Sequence, residues 1–222
     1  MRCLLFDVEG TVSSLAFVKE ELFPYARAAL PAFLRDHADR SDVRPILGRL
    51  RHELSTERVD DIAAALVRWI DEDRKDSELK ELQGLIWERG YRDGALRGHL
   101  YADVLPFWRR AVAAGVTLAM YSSGSEQAQR LLLRHSTEGD VADLFARHFD
   151  TRVGGKMEPR SYERIASELS LMPRDIRFYS DSVAELDAAA DAGMDTCRVL
   201  RPGVPRREHR HREIDDFSTE RL

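Results

Sequence analysis

The chain has 222 residues, 43% of them apolar, and a formal net charge of -5 from 34 Lys and Arg against 39 Asp and Glu. That length allows one large domain or a core carrying an insertion, and the apolar share suffices to bury a core. The acidic balance excludes a global positive field for holding nucleic acid or an anionic membrane, so an anionic substrate has to be met by local cations.

The first element is Cys3-Leu4-Leu5-Phe6, a continuous apolar run stopped by Asp7, which is the pattern of a strand buried on both faces of a parallel sheet. About a hundred residues pass before the next strand-like run, too many for one crossover, so a helical insertion is expected. Within it a helical region lies between Glu20 and Asp36, punctuated by Pro24 and Pro31. Val59, Ile62, Ala63, Leu66, Val67 and Ile70 then make one apolar stripe, with Ser55 or Thr56 as its expected cap. Leu79, Leu82, Leu85 and Ile86 make a second, begun by Ser77 and ended near Gly90.

Short apolar runs return at 116–121, 176–179 and 196–200, each preceded by a helical pattern, which is βα alternation. Gly115 and Gly193 fall where helices should close in left-handed caps. The expected division is a Rossmann-like α/β core of parallel sheet and flanking helices from 1–18 and 100–222, with an all-helical cap at 19–99. The tail from 202 is charged and expected to wrap the surface. Its His209 and His211, flanked by Arg206, Arg207, Arg210 and Arg212, fit a solvated face better than a metal site whose charge the arginines would oppose. Cys3 and Cys197 read as small buried hydrophobes, which fits a reducing compartment. With no secretory or membrane-spanning apolar segment, a cytoplasmic protein is expected, with neither membrane nor nucleic acid as partner.

Four separated pieces carry chemistry: Asp7-Val8-Glu9-Gly10-Thr11, Ser122-Ser123-Gly124, Lys156 and Ser180-Asp181. Three of them directly follow expected strands, so they converge at the carboxyl edge of an open parallel sheet. Asp7 is the candidate nucleophile, forming an aspartyl-phosphate. Glu9 is the candidate general acid and base, and Gly10 allows the tight turn between them and the rest of the loop. Ser122, Ser123 and Gly124 offer hydroxyl and backbone N–H groups to a phosphate. Lys156, after Gly154 and Gly155, can pair with Asp7 and with phosphoryl oxygens. Asp7 and Asp181 are hard oxygen ligands suited to Mg2+. Each piece has a plainer reading, as a solvated loop residue or a helix cap, but their joint order at strand ends favours one site.

These four motifs resemble the haloacid dehalogenase superfamily. The resemblance implies Mg2+ held by Asp7, Asp181 and the Glu9 region, and a cap inserted after the first motif. Most members place aspartate two residues after the nucleophile, whereas this chain has Glu9. With Phe23-Pro24-Tyr25-Ala26, Gly98-His99-Leu100-Tyr101-Ala102-Asp103-Val104, Tyr121-Ser122-Ser123-Gly124-Ser125 and Ser180-Asp181-Ser182-Val183-Ala184-Glu185, it is similar to the enolase-phosphatase family of methionine salvage. That resemblance implies a bifunctional enzyme that enolises and then dephosphorylates a small phosphorylated diketone, 2,3-diketo-5-methylthiopentyl-1-phosphate; a monomer is expected. Two departures are Val12, where the family usually has a second threonine, and the loop around Lys156. The alternatives are another phosphatase or phosphomutase of the superfamily acting on a sugar phosphate, and a phospho-receiver signalling module, which would lack both the insertion and Glu9.

Overall fold

The computed structural model describes residues 1–202, 204, 206 and 208–222. The chain forms two compact units, Met1–Leu15 with Arg97–Leu222, and Ala16–Leu96. The first begins with β1 (Cys3–Phe6), whose four side chains are all fully buried, as its unbroken apolar run requires.

The second unit is helical. A π-helical turn, Phe17–Leu22, runs into α1 (Phe23–His37), and the Leu22 carbonyl accepts from Trp87 Nε1 at 2.9 Å. Pro24 opens α1, while Pro31 lies inside it without ending it. Next come α2 (Arg44–Leu54), α3 (Val59–Asp71) and α4 (Ser77–Arg92). Their shared core holds Leu30, Phe33, Leu47, Leu66, Leu82 and Ile86, with Val67, Ile70 and Leu85 partly buried at its rim. The expected cap of α3 is displaced. Ser55 closes α2 in a left-handed conformation (φ 51°), and Thr56 Oγ1 accepts the Arg58 N–H, leaving α3 without a side-chain cap. On α4 the cap is Asp76, which accepts the Leu79 N–H at 2.9 Å, so Ser77 is the first helical residue.

The first unit resumes with α5 (Val104–Ala113), β2 (Thr117–Tyr121), α6 (Glu126–Arg134), β3 (Arg147–Phe149), α7 (Pro159–Glu168), β4 (Ile176–Ser180), α8 (Val183–Asp191), β5 (Asp195–Val199) and β6 (Arg212–Ile214). Gly115 and Gly193 do follow α5 and α8 at positive φ. All pairings are parallel, in the order β3-β2-β1-β4-β5-β6. Chain direction across the sheet reverses at β1, with β2 on one side and β4 on the other, and such a switch point leaves a crevice at the carboxyl ends. Phe6 stacks on Tyr179 of β4 at 5.1 Å, and Trp108 of α5 meets it edge-on at 5.8 Å.

The tail differs from expectation. It contributes β6, and Phe217 is fully buried, stacked on Phe107 at 5.0 Å. The His209 and His211 side chains are 7% and 2% exposed, not on a solvated face. His209 Nε2 meets Glu213 at 2.9 Å and His211 Nδ1 meets Thr196 Oγ1 at 2.8 Å, so carboxylate and hydroxyl partners let the rings sink into the sheet edge. Arg207 lies outside the described residues. Cys3 and Cys197 are free and buried, and burial pushes both thiols up to about 12. Among the described residues no helix is long and apolar enough to cross a membrane.

Candidate active site

Parallel pairing sets Phe6 level with Met120 of β2 and Tyr179 of β4, so the segments after all three strands leave the sheet at one edge. Asp7 is held there by its amide, which donates to the Tyr179 carbonyl at 2.9 Å. The chain then turns tightly, because the Val8 carbonyl collects the N–H groups of Thr11, Val12 and Ser13. Gly10 makes that turn at φ +76°, and a Cβ on it would stand 2.6 Å from Asp181 Oδ2. Glycine is needed twice over, for the backbone conformation and for room beside the carboxylate. Thr11 Oγ1 donates to Asp7 Oδ2 at 3.3 Å and accepts the Asp181 N–H at 3.0 Å, tying the two strand ends together.

Lys156 reaches this point from 149 residues away in sequence. Its Nζ lies 2.5 Å from Asp7 Oδ1 and 2.6 Å from Glu185 Oε2, and the lysine is almost fully buried. Three hydroxyls hold its loop: Tyr121 donates to the Gly154 carbonyl at 2.9 Å, Ser161 to Gly155 at 2.8 Å and Tyr162 to Lys156 at 2.7 Å. An ammonium on a flexible stem is thus aimed by a rigid backbone.

The serine segment follows β2. Ser122 is buried, its amide donates to the Phe149 carbonyl at 3.1 Å, and its Oγ accepts the Gly124 N–H at 3.0 Å. Ser123 is exposed and Gly124 half-buried. None of these caps α6; Ser125 does, accepting the Ala128 N–H at 3.2 Å. Asp181 is likewise no cap, since Ser182 accepts the Glu185 N–H for α8. Glu9 is half-buried in the turn, bridged through its main chain to Ser13. Asp7 and Lys156 are therefore in direct contact and Asp181 is joined to Asp7 through the Thr11 hydroxyl, with Glu9 in the same turn as Asp7 and Ser122 at the end of the adjacent strand.

The electrostatics are unbalanced. Burial, and then the charge of Asp7, raise Asp181 to about 6 and the Glu185 carboxyl well above its usual range. Burial pulls the Lys156 ammonium down, but the facing Asp7 and Glu185 outweigh it and hold its pKa above the ordinary lysine value. Three carboxylates around one ammonium leave negative charge that a further cation would offset, and Gly10 leaves space beside Asp181. That donor set fits a hard divalent ion. Among the described residues no three His, Cys, Asp or Glu side chains are arranged as a ready-made cage. A bound ion would rest on two carboxylates, other oxygens and water, which magnesium tolerates.

Sequence reasoning gave no role to Glu185. It sits four residues after Asp181 in the first turn of α8, where an acid also complements the helix dipole, so its signal is that of an ordinary helix start. Thr11 was part of a motif, yet nothing local announces that its hydroxyl bridges two strands.

A family model described as haloacid dehalogenase-like hydrolase matches residues 1–193. The chain is 48% identical over 219 residues to a protein of Methylococcus capsulatus named Enolase-phosphatase E1, covering 98% of this chain and 96% of that one. It is 50% identical over 222 residues to a protein of the same name from Sorangium cellulosum, covering 97% and 95%. The crystal structure of the UTR4 protein of Saccharomyces cerevisiae superposes with a TM-score of 0.86 at 31% identity, covering 98% of this chain and 99% of that one.

Proposed function

The chain belongs to the haloacid dehalogenase-like hydrolase family, and we propose that within it this protein is an enolase-phosphatase acting on a small phosphorylated diketone. The observation that carries the reading is the contact of Lys156 with Asp7 at 2.5 Å, beside Asp181 at the switch point of the sheet. The names of relatives 48% and 50% identical over nearly the whole chain support the substrate class.

Asp7 attacks phosphorus and forms an aspartyl-phosphate, so that one hard displacement becomes two easier ones. Lys156 holds the nucleophile and offsets charge that grows on the phosphoryl oxygens. Ser122 keeps a hydroxyl proton to donate to one of those oxygens, with Ser123 and Gly124 completing the cradle. Glu9 gives a proton to the departing enol oxygen, then takes one from the water that cleaves the acyl phosphate. Enolisation precedes this: a carbon beside a carbonyl loses a proton and the carbonyl oxygen gains one. Mg2+ bound by Asp7, Asp181 and an oxygen near Glu9 would supply positive charge to the phosphoryl group and to the enediolate.

The test is phosphate release from 2,3-diketo-5-methylthiopentyl-1-phosphate and from a panel of sugar phosphates, with Mg2+ and with chelator. We expect Mg2+-dependent release with the diketo ester strongly preferred, and an ultraviolet-absorbing enol before free phosphate. Full turnover in chelator refutes the metal assignment, and preference for a sugar phosphate refutes the substrate.

A further inference from the structure

Two arginines at and beyond β5 reach back to the main chain of the two loops that carry Asp7 and Asp181. Arg201 is 4% exposed. Its Nε donates to the Thr11 carbonyl at 2.8 Å, and its Nη1 donates to both oxygens of Asp103 at 3.0 and 2.9 Å. The guanidinium lies 4.0 Å from the centroid of the Tyr101 ring. Asp103 in turn accepts the Phe217 N–H at 2.8 Å, so this anchor includes the buried end of the tail. On the other loop Arg198 Nε donates to the Asp181 carbonyl at 3.4 Å, and its Nη1 to Glu213 of β6 at 3.1 Å.

A buried guanidinium is costly to desolvate, and a buried ion pair is poor evidence of net stability. What Arg201 offers here is fixed geometry: a planar group that serves a main-chain carbonyl through Nε while Nη1 is held on a carboxylate, with Nη2 left without a hydrogen-bond partner among the described residues. Thr11 is the residue whose hydroxyl joins Asp7 Oδ2 to the Asp181 N–H. Resting on the reading of Asp7 as nucleophile, we propose that Arg201 is a positioning residue for phosphoryl transfer. It fixes the Thr11 peptide, and through the Thr11 hydroxyl the Asp7 carboxylate, with Asp103 and the Phe217 segment as its anchor.

Arg201→Lys keeps a positive charge next to Asp103 but cannot span Asp103 and the Thr11 carbonyl with one rigid fork. Asp103→Asn keeps the acceptor for Phe217 while loosening Arg201. For both variants, kcat and KM for phosphate release from the diketo ester are measured per folded molecule, with the folded fraction taken from circular dichroism. Amide hydrogen exchange of the peptide covering residues 7–14 is followed in the absence of substrate and metal. For Arg201→Lys the expected result is a kcat lower by roughly 10–100-fold, as sub-ångström misplacement of a reacting group can cause. KM should stay within about threefold of wild type and the 7–14 peptide should exchange faster, with Asp103→Asn showing the same pattern more weakly. Wild-type kcat per folded molecule with unchanged loop exchange overturns the proposal. So does a loss of activity that merely tracks the loss of folded protein. If the wild-type chain released no phosphate from the ester, the functional reading would fail instead, and the exchange result would still decide whether Arg201 orders the loop.

Discussion

The helical unit keeps its ion pairs at the surface, whereas the sheet unit, which has exposed pairs such as Arg210–Asp191, also buries several. In the helical unit ion pairs lie outside an apolar core: Arg27 and Asp71 make a two-pronged pair at 2.6 and 2.9 Å, yet their side chains are 50% and 47% exposed. In the sheet unit Lys156 and Asp7 meet at a similar distance with side chains 8% and 7% exposed, and Arg201–Asp103 and Arg198–Glu213 are also buried. Desolvating charge costs several kcal/mol per ion, whereas an exposed pair gives back little. Burial of paired charge is therefore the feature that separates the unit holding the candidate site from the unit whose ion pairs stay at its surface.

The sharpest break in that comparison is Asp7→Asn. Loss of the proposed nucleophile should cut phosphate release by roughly 10⁴-fold or more, the scale seen when a covalent nucleophile is deleted. Stability should move the other way. Asp7 raises the pKa of both Asp181 and Glu185, so neutralising it relieves repulsion while Glu185 still partners Lys156. Urea unfolding without divalent ions should show a midpoint at or above wild type. A clear drop in that midpoint would mean that the Lys156–Asp7 attraction exceeds the carboxylate repulsion, and the cluster would have to be counted as stabilising. Normal phosphate release, with deamidation excluded by mass spectrometry, would remove Asp7 from the mechanism.

His148 sharpens the comparison from the neutral side, as a buried ring without a countercharge. Its Nδ1 faces Gln129 Oε1 at 3.2 Å, and Nε2 has no hydrogen-bond partner among the described residues. Burial first, and the charge of Arg130 second, lower its pKa to about 4. In the unfolded chain the ring takes up a proton below about pH 6.5, and in the folded protein only below about 4. Across that window the unfolded state binds more protons, so stability falls as pH falls, by on the order of 2–3 kcal/mol over the whole interval. His148→Gln should flatten this limb. Subtracting its curve from that of wild type separates the effect from Asp150 and Glu220, whose lowered pKa values also cost stability in acid. Parallel curves between about pH 4 and 6.5 would show that the ring does not contribute.

The contrast also explains what the sequence could disclose. β1, β2, β4 and β5 were legible because strands covered on both faces are continuous apolar runs. β3 and β6 were not, because Arg147-His148-Phe149 and Arg212-Glu213-Ile214 are only three residues long and carry charge or an imidazole, so neither makes an apolar run. Asp7, Ser122 and Asp181 were legible because a polar residue ending an apolar run is conspicuous and parallel topology forces such ends together. Glu185 looks like any acid in a first helical turn, and Arg201 acts on a carbonyl 190 residues away, so neither leaves a local pattern. The tail misled for a related reason: the partners of His211, Thr196 and Asp187, come from β5 and α8, and the carboxylate that meets His209 is Glu213 of β6, a strand the charged tail did not announce.

The smallest effect is expected at Arg27 and Asp71, and it is the one that tests whether burial, not contact geometry, sets the value of an ion pair. Both Arg27 contacts are short and bidentate, the arrangement most favourable to a surface bridge. Asp71 holds Arg27 above its ordinary pKa, and Arg27 holds Asp71 below the carboxylate range. Both groups nevertheless stand in water, which competes for every donor and acceptor and screens the attraction. A double-mutant cycle with Arg27→Ala and Asp71→Ala, read by urea unfolding, isolates the pair from changes in helix propensity. Raising NaCl from about 0.01 M to about 1 M shortens the screening length from roughly 30 to 3 Å. The coupling should be small at low salt and vanish at high salt. The cycle of Arg201→Met with Asp103→Asn, run in parallel, should keep most of its coupling at both, because the side chains are only 4% and 13% exposed and are screened less. A salt-insensitive coupling at Arg27–Asp71 as large as the one at Arg201–Asp103 would mean that two-pronged geometry alone decides the strength of these bridges, and the contrast between the two units would lose its physical basis.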